Sequence, residues 1–113
     1  MYLITAMIKP QRFEEVKKAL FDANIHKMTV SSVKGCGQQK GYEESFRGVV
    51  SEVNLLNKMR LDIAVNEKYK DATIEAIIKG ARTETIGDGK IFVTELKECI
   101  RIRTGEEGAE AIG

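Results

Sequence analysis

Two glycine-rich segments, Gly35-Cys36-Gly37-Gln38-Gln39-Lys40-Gly41 and Gly87-Asp88-Gly89-Lys90, hold the residue types best suited to bind an anion, and Arg101-Ile102-Arg103 follows the second. Each glycine segment adjoins a strand-like run, so that backbone N–H groups unshielded by a Cβ and nearby cations can converge on phosphate oxygens. Lys90 supplies a mobile charge beside Gly87 and Gly89. Arg101 and Arg103 stand at i and i+2, a spacing that on a strand puts both guanidinium groups on one face, where they would straddle a polyphosphate. The pattern predicts a nucleotide pocket. Between its halves, Tyr42 to Asn54 is a polar stretch long enough for a mobile loop whose shape reports what is bound. The plainer alternative is a solvated cationic strand face with ordinary turn glycines.

The elements that must position these groups follow from periodicity. Tyr2, Ile4, Ala6 and Ile8 alternate with Leu3, Thr5 and Met7, which predicts a strand apolar on both faces. Pro10 permits a helix start, Phe13, Val16, Leu20 and Ala23 recur at helical spacing, and Asn24 is a stop. Residues 26–36 return to strand composition. Met59, Leu61, Ile63 and Val65 alternate with Arg60, Asp62, Ala64 and Asn66 in the clearest strand of the chain. Tyr69, Ala72, Thr73, Ala76, Ile77 and Gly80 make a second helical stripe, and residues 91–96 a fourth strand. The order βαββαβ predicts an α+β ferredoxin-like sandwich, a four-stranded antiparallel sheet with both helices on one face. Leu3, Met7, Val33 and Val93 are expected on the bare face. Such a patch is too apolar for water and predicts a homo-oligomer. The Gly/Glu-rich tail Thr104 to Gly113 is expected to be loose unless bound.

Composition sets the remaining bounds. A chain of 113 residues with 42% hydrophobic content fits one domain, 1–113, with a small core. Its 18 Lys+Arg against 17 Asp+Glu give +1, so no net field draws it to nucleic acid or anionic membrane, and any basic site is local. Cys36 and Cys99 form no CxxC pair and read as reduced thiols, with Cys36 in packing. His26, the sole histidine, has no partner that would make it a ligand or base and is expected at a surface or helix end. The first ten residues lack the features of a signal peptide or membrane span.

Three long runs, Thr29 to Gly41, Ala81 to Val93 and Ile100 to Glu106, resemble the PII nitrogen-signalling proteins of the GlnB/GlnK family, and the likeness covers essentially the whole chain. The resemblance implies a cytoplasmic ferredoxin-like trimer that binds ATP or ADP between subunits and, with Mg-ATP, 2-oxoglutarate. It implies a T-loop at about 37–55, a nucleotide-binding loop at about 82–90 and a C-terminal loop at about 101–113. By carry-over, Met7, Thr29, Gly35, Gly37, Gln38, Ala64, Gly87, Asp88, Gly89, Lys90, Arg101 and Arg103 bind nucleotide, the two arginines reaching across the subunit boundary. Gly37, Gln39, Lys40, Gly41, Lys58, Ile86 and Gly87 would hold 2-oxoglutarate, Lys58 at its distal carboxylate. Gln39 would join the magnesium ion, for which a neutral amide oxygen is a suitable ligand.

The T-loop would meet target proteins, and Phe46 and Arg47 near its tip suit the cytoplasmic mouth of an Amt-type ammonium transporter, which would bring the protein to the inner membrane as a peripheral partner. Ser51 stands where many bacterial members carry a nucleotidylated tyrosine, so that modification is not carried over, and Ser45 and Ser51 are candidate phosphate acceptors. Two other function classes fit parts of the pattern. A slow nucleotide hydrolase would need a base, for which Asp88 and Glu106 are candidates by type. A ferredoxin-like RNA-binding module would need paired aromatics on the interior strands, which are missing.

Overall fold

The computed structural model describes residues 1–36 and 55–113. They form β1 (Tyr2–Ile8), a 3-10 turn (Pro10–Arg12), α1 (Phe13–Asp22), β2 (Thr29–Gly35), β3 (Leu56–Val65), α2 (Glu67–Ala81), β4 (Gly89–Glu95) and one closing turn of helix, α3 (Ala109–Ile112). The expected βαββαβ order is present, and the strands make one antiparallel sheet ordered β2-β3-β1-β4. This is the ferredoxin-like α+β arrangement.

Local chemistry explains the boundaries. Pro10, which has no N–H to leave unsatisfied, opens the 3-10 turn. Glu14 and Glu15 in the first turn of α1 complement its dipole. At the other end Asn24 takes a φ of +65°, and the Ile25 N–H reaches back 2.8 Å to the Leu20 carbonyl. That left-handed residue turns the chain toward β2.

The core lies between the sheet and the two helices. Ile4, Ala6 and Ile8 of β1 and Leu61, Ile63 and Val65 of β3 are buried against Val16, Leu20, Ala76 and Ile77. Burial of each large aliphatic side chain contributes about 1.5–3 kcal/mol before the cost of ordering it. α1 and α2 touch at the backbone, for a Cβ at Gly80 would lie 2.5 Å from the Val16 Cα. Only glycine permits that approach.

Several expectations need correction. β2 starts at Thr29 rather than residue 26, β3 starts at Leu56 rather than Met59, and β4 runs from Gly89 to Glu95. Val93 pairs with Ile4 and so shares the helix-covered face; its neighbour Phe92, opposite Thr5, joins Leu3, Met7 and Val33 on the bare one. Arg101 and Arg103 do not share a strand, because the chain turns there: the Gly105 N–H bonds the Arg101 carbonyl at 2.7 Å and Ile100 bridges to Glu107. The tail is not loose. Asn66 Nδ2 donates to the Ala109 carbonyl at 3.3 Å and Arg101 to that of Glu110 at 3.0 Å, which returns α3 to the body. Cys36 is exposed rather than packed, and Cys99 is half-buried. His26 is exposed, as expected, with its ring edge-on to Phe21 at 5.0 Å.

Candidate functional site

The second glycine segment forms a loop between α2 and β4, and its backbone is fixed by two glycines of positive φ, Gly87 at +100° and Gly89 at +109°. Gly89 pairs with Ile8 at the mouth of the ladder, where a Cβ would fall 1.7 Å from the Met7 carbonyl oxygen. A side chain there is sterically excluded. The loop can therefore lie flush on β1; the Asp88 N–H is spent on the Thr85 carbonyl at 3.3 Å, which leaves the backbone of Gly87 and Gly89 as the part suited to an anion.

Asp88 shapes this loop from within. Its carboxylate accepts from the backbone N–H of Thr83 at 2.7 Å, from that of Glu84 at 2.8 Å and from the Thr83 hydroxyl. Lys9, just beyond β1, places Nζ 3.3 Å from the same carboxylate, and donates to Thr85 Oγ1 at 2.6 Å and Thr83 Oγ1 at 3.2 Å. The hydrogen bonds from Thr83, joined by those from Glu84 and Lys9, outweigh the opposing effect of desolvation and hold the Asp88 carboxyl well below the usual carboxylate range. Glu84 sits in the left-handed region at φ +63°, a strained setting for a residue with a Cβ.

Beside the loop, on the bare face of the sheet, opens a cleft of about 710 Å³ whose lining includes Gly35, Cys36, Ile86, Gly87, Gly89 and Phe92. That volume suits a small-molecule ligand. Lys34, Lys58, Arg60 and Lys90 also line it, and among the described lining residues there is no carboxylate. Lys58 Nζ donates to the Gly87 carbonyl at 2.7 Å, which ties β3 to the loop. Arg60 Nε bonds Asp62 Oδ2 at 3.0 Å, and Thr5 Oγ1 donates to Asp62 Oδ1 at 2.7 Å. Partial burial works against ionisation of Asp62, but the hydrogen bonds from Thr5 and Arg60 and the Arg60 charge prevail, and its carboxyl lies below its ordinary value.

The residues singled out from the sequence fall into separate groups within one chain. Met7, Gly35, Lys58, Ile86, Gly87, Gly89 and Lys90 meet at the cationic cleft. Thr29 and Ala64 lie toward the other end of the bare face, in a second hollow of about 460 Å³ with Lys27, Asp62 and Cys99. Lys90 stands opposite Met7 and Ala64 opposite Leu3, so these two residues lie roughly 13 Å apart along β1, while the hollows themselves adjoin where Arg60 of one meets Asp62 of the other. Arg101 is held by Glu106 Oε1 and the Glu110 carbonyl, Arg103 is exposed, and neither lines the cationic cleft. Gly37, Gln38, Gln39, Lys40, Gly41, Ser45, Phe46, Arg47 and Ser51 lie outside the described residues.

Sequence reasoning missed Lys9, Thr83 and Thr85, which brace the loop, and Lys34 and Arg60, which add charge to the cleft. For Arg60 a signal existed: Lys58 and Arg60 stand two apart on a strand and must share a face. Lys9 gave no such signal, because its partners are more than seventy positions away.

Comparison with known proteins agrees with this fold. Residues 1–106 match the family model described as nitrogen regulatory protein P-II. The chain is 52% identical over 109 residues to nitrogen regulatory protein P-II 1 of Methanothermobacter thermautotrophicus, covering 96% of this chain and 95% of that one. It is 46% identical over 112 residues to nitrogen regulatory protein GlnK of Escherichia coli strain K12, covering 99% and 100% respectively. Among solved structures, the crystal structure of Arabidopsis thaliana PII bound to citrate aligns with a TM-score of 0.77 at 35% identity, over 97% of this chain and 87% of that one.

Proposed function

The chain belongs to the P-II family of nitrogen regulatory proteins, and from that premise we propose that it is a non-catalytic sensor that binds ATP or ADP in the cationic cleft and signals through its T-loop. The observation that carries this reading is the pairing of a loop in which Gly87 and Gly89 expose bare backbone with a lining of four cations and, among the described residues, no carboxylate. Such a lining has a strong preference for a polyphosphate.

In this reading the phosphates lie along Gly87, Gly89 and Lys90, with Gly35, Gly37 and Gln38 closing the other side. Thr29, Ala64, Arg101 and Arg103 of a second subunit complete the pocket, which accounts for their distance from the cleft in one chain. The partner copy would cover the bare sheet face, where Phe92 is 52% exposed, and Ile102, which is 100% exposed. A homotrimer satisfies both needs. Mg²⁺ would be held by the phosphates and Gln39, and 2-oxoglutarate would bind that metal, Gly37, Lys40, Gly41, Ile86 and Gly87, with Lys58 leaving the Gly87 carbonyl for its distal carboxylate. Arg47 and Phe46 would then present the loop to a target, of which an Amt-type ammonium transporter is one, in a cytoplasmic setting. No helix among the described residues is long and apolar enough to cross a membrane.

The two carboxylates that were candidates for a hydrolytic base support regulation over catalysis. Asp88 spends both oxygens on Thr83, Glu84 and Lys9, and Glu106 accepts from Arg101 and Thr104 through Oε1. A carboxylate so engaged, with its proton affinity lowered as at Asp88, is a poor base.

Calorimetry on the full chain with ATP, ADP and 2-oxoglutarate, singly and together, tests the proposal, with light scattering on the same samples. Stoichiometric nucleotide binding by a trimer, and oxoacid binding that needs Mg-ATP, are expected; Gln39→Ala should lose that coupling and keep much of the ADP affinity. A monomer that binds ATP at full strength, or oxoacid binding indifferent to nucleotide, would overturn it.

A further inference from the structure

We propose that Lys9 is a positioning residue of the phosphate site: it neutralises Asp88 and so allows a polyanion to approach a loop that has a carboxylate at its centre. The inference rests on the nucleotide reading given above. Three distances carry it. Lys9 Nζ lies 3.3 Å from Asp88 Oδ1, 2.6 Å from Thr85 Oγ1 and 3.2 Å from Thr83 Oγ1, so one ammonium group spends its donors on the loop that bears Gly87 and Gly89. Asp88 in turn fixes the loop by accepting the Thr83 and Glu84 N–H groups.

This arrangement answers an electrostatic difficulty. Asp88 lies between the two glycines whose backbone would face phosphate, and an uncompensated carboxylate so near would repel each added phosphoryl group. The loop cannot dispense with it, because its oxygens hold the backbone in shape. Lys9 cancels the charge from the side of β1 while leaving the hydrogen bonds intact. Its stem is fixed by β1, whose Met7 carbonyl touches Gly89, so the cation and the loop it serves are anchored to the same strand.

Neutralisation predicts a signature that simple bracing does not. Losing the Lys9 charge should penalise a ligand in proportion to its own charge, whereas a misshapen loop would weaken all ligands alike. The experiment is calorimetric titration of the full-length protein with ATP, ADP and AMP, for the wild type, Lys9→Met, Lys9→Arg, and Lys9→Met combined with Asp88→Asn. Lys9→Met should lower ATP affinity about tenfold, ADP affinity less and AMP affinity least, with the spread shrinking at high salt. Lys9→Arg should keep the wild-type order. Adding Asp88→Asn to Lys9→Met should restore most of the ATP affinity, because the asparagine oxygen still accepts from the loop N–H groups.

Equal losses for the three nucleotides, no loss, or no recovery in the double variant would overturn the inference. Should Lys9→Met fail to fold, Asp88→Asn alone decides: the ratio of ATP to AMP affinity must rise, and an unchanged or lower ratio overturns the inference. If the wild type binds none of the three, the nucleotide reading itself is wrong, a result distinct from failure of the role given to Lys9.

Discussion

Lys58 and Gly87 are joined by a 2.7 Å hydrogen bond from Nζ to the carbonyl oxygen, so a side chain on β3 holds the main chain of the loop that precedes β4. β3 and β4 are not neighbours in the sheet; β1 runs between them. The bond thus reaches past β1 between two residues that line the cleft. It gives the loop a contact that a bound carboxylate can compete for, and it links the two ligands proposed for this site.

Replacing Lys58 by methionine should separate affinity from stability. The expected loss is about 1 kcal/mol of folding stability, the scale of one partly exposed hydrogen bond, against a loss of tenfold or more in affinity for the oxoacid. Thermal unfolding beside calorimetry checks it. Oxoacid binding unchanged in Lys58→Met would remove Lys58 from the site.

Three glycines rank by the space around them. Gly89→Ala meets both a φ of +109° and the Met7 oxygen at 1.7 Å, and should cost about 3 kcal/mol or more. Gly80→Ala pushes α1 from α2 and should cost about 1–3 kcal/mol. Gly105→Ala has nothing within 4 Å of the added Cβ, so only its φ of +76° counts, at about 1 kcal/mol. Urea midpoints for the three variants give the order, and a Gly105 variant less stable than the Gly89 variant would contradict it.

Acid should weaken the fold through Asp62 and Asp88. Both carboxyl groups are held below their ordinary value in the folded protein, so the unfolded chain binds protons more readily. Their stabilisation is present in full above about pH 5, fades as pH falls through about 4, and is lost once the folded groups protonate. Urea midpoints at pH 7 and pH 3 should differ, and Asp62→Asn should reduce the difference. Equal reductions of stability at the two pH values by Asp62→Asn would show that its charge has no part.

Much of this architecture is legible in the sequence because the informative residues alternate with contrast. Leu61, Ile63 and Val65 against Arg60 and Asp62 leave one solution for β3. Ile91-Phe92-Val93 offers no contrast, since every side chain is apolar, and the face of each is decided by pairing with β1. That pairing depends on where Gly89 enters the ladder. Arg101 and Arg103 fit a strand by spacing, yet Gly105 at φ +76° and the bond from Arg101 to Glu106 turn the chain. The loop from Gly87 to Lys90 is legible because its chemistry is local. Lys9 was hidden because its role exists only once β1 and the end of α2 are brought together.

Gly35 and Leu56 face each other at the last rung of the β2–β3 ladder, two rungs beyond Val33 and Lys58 by way of Lys34 and Asn57. The two roots of residues 37–54 are therefore clasped at a common gatepost beside the cleft. The entropy of bringing those roots together is met by the folded sheet and does not have to be supplied by a ligand. A small displacement at Gly35 or Leu56 is therefore delivered to both roots at once.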